Sequence, residues 1–174
     1  MTPEFSRPEF SRIIDTRSIG NEPVRLEANE AERQALARRF GLVAIHRLVA
    51  EVTLEPVKQA IAATGRLDAE IVQGCAVSGE DLLVTISEPL TLRFVPPSGG
   101  HRPDEEVELA AVDLDEIEFA GTQFDLGEAV AQSLALATDP FLEGPNAEEF
   151  RKTSGYFGED TANPFAALAR LKKD

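Results

Sequence analysis

Apolar side chains recur at every second position along three stretches of the chain, the spacing of strands with one buried face. In the first, Leu42, Ala44, His46, Leu48, Ala50, Val52 and Leu54 share one parity, while Arg47, Glu51 and Thr53 take the other. The second and third lie between Gly65 and Pro96. Leu67, Ala69 and Ile71 alternate with Asp68, Glu70 and Val72, and after Ser78-Gly79-Glu80-Asp81 the alternation resumes at Leu82, Val84 and Ile86. A breaker rich in Gly, Ser and Asp between two such runs predicts an antiparallel hairpin, the central one of the fold. Pro56 interrupts the first strand, and Val57 to Ala63 leads into the second. Shorter runs at Ser11–Asp15 and Val24–Leu26, around Gly20-Asn21, predict two short strands joined by a turn.

The period lengthens to that of a helix in three places. Asn29 with Glu32 three residues on forms a capping box, followed by Ala31, Ala35, Leu36 and Phe40 at near-helical spacing and by Gly41 as terminator. Acids at the start and Arg38-Arg39 at the end complement the helix dipole. Asp125 and Glu128 open a second helix, with Leu126, Val130, Leu134 and Ala137 on one face and Asp139-Pro140 at its end. Asn163-Pro164 opens a short third helix, residues 164–172, on which Phe165, Leu168 and Leu171 recur. The predicted fold is therefore α+β: a twisted antiparallel sheet, open or curled into a partial barrel, with two main helices and a tail helix. Residues 1–12 form an extension carrying the repeat PEFSR twice, residues 13–140 the domain, and residues 141–174 a tail. The extension reads equally as a tail or an edge strand.

Charge sharpens this picture. The 174 residues carry a formal net charge of −14, and the stretch from Pro103 to Phe150 supplies all of it, with 14 acids and no Lys or Arg. So acidic a body argues against broad nucleic-acid binding, which draws on phosphate neutralisation, and favours a basic protein partner. Val107–Val112 and Ile117–Phe119 are apolar islands within the acidic stretch and predict short strands. The Pro96–Pro103 cluster before them breaks regular structure. No apolar run approaches the roughly 18 residues of a membrane-spanning helix, and the N-terminal residues lack a signal-peptide core. The expected setting is cytoplasmic, with no membrane association.

Catalytic chemistry finds little purchase in the residues. Cys75, the single cysteine, follows Ile71-Val72-Gln73-Gly74 with no cation nearby to lower its pKa, which predicts a buried structural thiol. His46 and His101 are far apart and lack the spacing of metal ligands. Carboxylates between Asp104 and Glu128 are abundant, and in so acidic a segment a solvated surface is the first expectation. The residues therefore nominate no catalytic group, metal or cofactor. The competing expectation is a metal-dependent nuclease or other hydrolase using clustered carboxylates, which would need Asp113, Asp115 and Asp125 to converge.

Three segments together, the strand ending at Cys75, the FDLGEAV helix start at Phe124–Val130, and NPFAALARLK at Asn163–Lys172, resemble the YceD family of large ribosomal RNA subunit accumulation proteins. The segment from Ala28-Asn29-Glu30 through Phe40-Gly41-Leu42 is similar to the version in alphaproteobacterial members. The resemblance implies a non-enzymatic ribosome biogenesis factor acting in accumulation or processing of the large-subunit RNA. Many members carry a Cys-x-x-Cys pair at the strand end; here Cys75 stands first, and Ser78 replaces the second. Cys75 thus marks the family while a paired-thiol role is excluded. The expected partner is a basic ribosomal protein or large-subunit precursor particle, met by Asp104, Glu105, Glu106, Glu108, Asp113, Asp115 and Glu116 and by Phe165 and Leu168. Direct ribosomal RNA contact, weaker or indirect, would fall to Arg33, Arg38, Arg39 and Arg47, although charges on a helix face are ordinarily just solvated.

Overall fold

In the computed structural model, which describes residues 8–97 and 116–154, the three long alternating runs are three consecutive strands. They are β3 (Ala44–Val57), β4 (Ala60–Gly74) and β5 (Asp81–Val95). Around them stand β1 (Ile13–Asp15), β2 (Val24–Glu27), α1 (Glu30–Phe40), β6 (Glu116–Glu118), β7 (Gln123–Asp125), α2 (Leu126–Ala137) and α3 (Ala147–Thr153). The main sheet runs β2-β3-β4-β5-β6, so the hairpin that carries Cys75 at its turn is central. The fold is α+β with a twisted sheet that does not close into a barrel among the described residues.

Two pairings depart from the expected topology. β6 joins β5 in parallel, Phe94 opposite Ile117, so the sheet is mixed rather than wholly antiparallel. Residues 96–115 intervene, and a connection of that length can return the chain to the same end of the sheet. β1 and β2 do not pair with each other. Instead β1 forms a separate antiparallel pair with β7, and β2 lies against β3 with Leu26 opposite Ala50.

The long strands also correct the sequence reading at two points. Pro56 stays inside β3, opposite Ile61, and the β3–β4 turn is made by Lys58 and Gln59, with Lys58 at φ 60°. Beyond Val52 β3 has no β2 on its outer side, so a residue lacking an N–H interrupts no ladder there. At the other end of β3 the register slips: Ile45 faces Ile71 and Arg47 faces Glu70, leaving His46 as an extra residue in a β-bulge. The slip switches parity, so Ile45 is buried before it and Leu48, Ala50, Val52 and Leu54 after it. His46, placed by simple alternation in the apolar row, is exposed.

Packing divides the chain into two compact units. Unit one comprises, among the described residues, those up to Gln73 together with residues 83–97 and 116–139, and it holds the main core. There Leu48, Val52, Leu67 and Ile71 of the sheet join Leu36 of α1, Val130 and Leu134 of α2, and Phe94 and Phe124, whose rings stack at 4.1 Å. Phe10 is fully buried in the same core, so the end of the segment expected to be an extension is built into the domain. Unit two comprises, among the described residues, Gly74–Leu82 and residues 140–154, including α3, a helix that composition alone did not signal.

The helix ends follow the local chemistry expected of them. Asn29 accepts from Glu32 N at 3.0 Å, and Glu32 returns the bond to Asn29 N at 2.8 Å. Gly41 takes the left-handed conformation, φ 67°, at the α1 C-terminus. Asp125 caps α2 by accepting from Glu128 N at 3.1 Å.

Candidate functional site

The start of α2 turns out to be a structural knot. Asp125 caps its own helix and also accepts from Arg12 N at 2.8 Å and from Ser11 Oγ at 2.6 Å. Leu126 N in turn donates to Arg12 O at 3.0 Å. The backbone of Phe10–Arg12 lies so close that a Cβ at Gly127 would overlap the Phe10 carbonyl and stand 2.8 Å from Arg12 N. Only glycine permits that approach. Glu128 closes the knot through Arg39, which reaches it at 2.7 and 2.9 Å and reaches Glu9 at 2.9 Å. Each residue of Phe124-Asp125-Leu126-Gly127-Glu128 therefore has an architectural task.

Cys75 lies in unit two, at the β4–β5 turn. Its backbone closes the turn, with Cys75 N donating to Glu80 O at 2.7 Å and Gly79 N donating to Cys75 O at 3.0 Å. Its Sγ accepts from Gly144 N at 3.2 Å and from Val77 N and Ser78 N at 3.4 Å. These donors, Gly144 first and Ser78 next, stabilise the thiolate and pull the thiol down to about 7. The sequence offers no cation to do this; backbone N–H dipoles and the Ser78 side chain do it instead. With 5% of its surface exposed, Cys75 is a buried anchor with little access for a substrate. Beside it the Glu80 carboxylate accepts from Asn146 N at 3.1 Å, Asn146 Nδ2 at 2.5 Å and Ser78 Oγ at 3.2 Å. Ala76 N donates to Leu142 O at 2.9 Å. The turn and residues 142–146 are thus clasped together, with Ser78 taking part in the clasp.

The four arginines separate. Arg39 is committed to Glu9 and Glu128, and its guanidinium is pushed further above its ordinary value by them. Arg47 stands on β3 opposite Glu70. Arg33 and Arg38 line a surface groove of about 440 Å³ between α1 and the first residues of β3. Arg33 donates to Ala28 O at 2.7 Å, whereas the Arg38 side chain has no bonded partner among the described residues. His46, moved outward by the bulge, lines the same groove with Val43 and Ala44. Alternation hid this location, because only the register slip brings His46 to that side. Glycine inside a strand was an available but unread signal: at Gly65 a Cβ would overlap the Glu51 carbonyl and stand 2.9 Å from Val52 Cα. Buried Gln73, whose Nε2 donates to Asp139 O at 2.7 Å, carried no signal in the sequence.

Of the acids expected to meet a partner, Glu116 lies in β6 and pairs with Arg93 at 3.1 Å. Asp104, Glu105, Glu106, Glu108, Asp113, Asp115, Phe165 and Leu168 lie outside the described residues, as does the tail helix 164–172. Among the described residues no three His, Cys, Asp or Glu side chains gather as metal donors, and no helix is long and apolar enough to cross a membrane. Asp125, one of the three acids a carboxylate nuclease would require, is engaged by Ser11, Arg12 and its own helix. Compared with models of protein families, with curated proteins and with solved structures, the chain gives no match.

Proposed function

We propose that the protein is a non-enzymatic ribosome biogenesis factor that supports large-subunit ribosomal RNA accumulation or processing in the cytoplasm by binding a basic partner, a ribosomal protein or a precursor particle. The observation that carries the proposal is the charge layout. The stretch from Pro103 to Phe150 has 14 acids and no Lys or Arg of its own; Arg39, Arg93 and Arg151 reach Glu128, Glu116 and Glu143 within it, while Arg12, Arg17, Arg25 and Arg66 pair with carboxylates elsewhere. Cations so engaged are poorly placed to neutralise phosphates, whereas the surplus of acids suits a basic protein surface and speeds encounter with it. The resemblance of three separate segments to the YceD proteins supplies the biological setting, and the architectural tasks of Asp125, Gly127 and Cys75 account for residues that would otherwise suggest chemistry.

Two experiments test the proposal. Tagged protein captured from lysate at low and moderate salt should retain a large-subunit ribosomal protein or pre-ribosomal particle, with recovery falling as salt rises. Depletion should leave large-subunit RNA precursors accumulating relative to mature RNA. Recovery of neither class of partner, together with an unchanged precursor profile, overturns it.

A further inference from the structure

We infer that the groove between α1 and the start of β3 is a docking site for an extended acidic peptide segment of a partner protein, which adds as a strand to the outer edge of β3. The inference is independent of the ribosomal setting proposed above. It begins with an unpaired edge. β2 covers β3 only from Val49 to Val52, and the chain leaves it with Ala28 N donating to Leu48 O at 3.0 Å. Between Ala44 and Arg47 β3 has β4 on one side and, among the described residues, no strand on the other. Four residues of strand span about 13 Å, long enough to template a short peptide through main-chain hydrogen bonds.

The opposite wall supplies the charge. Glu30, Arg33, Gln34, Ala37 and Arg38 recur at intervals of three and four and so occupy one face of α1, the face that lines the groove. Glu30 is occupied by Gln34, which donates to it at 3.2 Å. Arg33 and Arg38 are five residues apart, about 7.5 Å along the helix axis and about 140° around it, so they flank the two edges of that face. An extended acidic peptide lying in the groove would meet Arg38 at one edge of that face and, at the other, Arg33, which also donates to Ala28 O. Val43, 54% exposed, offers an apolar contact at the same rim. A volume of about 440 Å³ lies within the ordinary range of binding clefts. A nucleic-acid backbone could use the arginines but has no peptide main chain to add to the strand edge.

The test uses the full chain and a fluorescein-labelled octapeptide alternating glutamate with valine. Fluorescence anisotropy at low salt should show saturable binding that Arg38→Glu weakens about tenfold or more. Arg38→Gln should give a smaller loss, and Lys58→Glu, in the β3–β4 turn, should give none. Amide exchange at Ala44–Arg47 should slow on adding the peptide, and the same peptide with lysine for glutamate should not bind. The Arg38 side chain is exposed and has no bonded partner among the described residues, so Arg38→Gln should unfold thermally close to the parent and Arg38→Glu, which puts an acid at the α1 C-terminus, slightly below it. Absence of binding, binding indifferent to Arg38→Glu, or protection confined to another strand overturns the inference. So does Arg38-dependent binding of a single-stranded RNA octanucleotide in preference to the acidic peptide.

Discussion

Replacing Arg39 with methionine should remove the link between the chain before β1, the end of α1 and the start of α2, while keeping most of the apolar stem. The guanidinium makes two short bonds to Glu128 and one to Glu9, and the three side chains are 34%, 20% and 28% exposed. Exposed pairs contribute about 0.2–1 kcal/mol, and breaking a fully buried one costs about 3–5 kcal/mol. Intermediate exposure with bidentate geometry places the loss near 2 kcal/mol, or about 4–8 °C in Tm for a chain of this size. Urea unfolding of Arg39→Met, Glu128→Gln and the double variant should give a coupling energy of about 1 kcal/mol, because each single change leaves the other group half-buried and unpaired. Glu128 is held below the ordinary carboxylate value, with Arg39 as the main cause. Its stabilising contribution is therefore present above the unfolded carboxylate pKa and disappears as pH falls through the lower folded value; Arg39→Met should flatten that acid limb. A loss below about 0.5 kcal/mol with no coupling would refute the assignment. Arg39→Met should also leave acidic-peptide binding intact, the reverse of Arg38→Glu.

Three further perturbations address other parts of the fold. Gly65→Ala forces β3 and β4 apart at Val52, and the disturbed ladder bonds and core contacts should cost about 2–4 kcal/mol in urea unfolding; a change within about 0.5 kcal/mol would show that the strands yield freely. Asn29→Ala removes one half of the α1 capping box and should cost about 1 kcal/mol, whereas Asn29→Ser should largely retain the cap, as thermal melts would show. Cys75, with its folded pKa lowered to about 7, should add stability as pH rises from there toward 9 and lose it as pH falls through 7. That rise should be absent in Cys75→Ser, and an identical pH profile in the two proteins would discount the thiolate.

Structure with a local cause is legible in the order of residues alone. A capping residue, a matching acid three positions on and a terminal glycine suffice to delimit α1, and the same chemistry opens α2 at Asp125. Alternating apolar positions were enough to identify the three long strands, because one-sided burial imposes a period of two wherever the register is regular. Where the cause lay across the sheet, the sequence fell silent. The bulge at His46 depends on how β3 meets β4, and the parallel placement of β6 depends on where a long connection returns. Arg38 and Arg39 are adjacent in sequence and equally charged, yet one lines the α1–β3 groove and the other is tied to Glu9 and Glu128. Successive residues on a helix point about 100° apart, and what each direction meets depends on the elements packed around it.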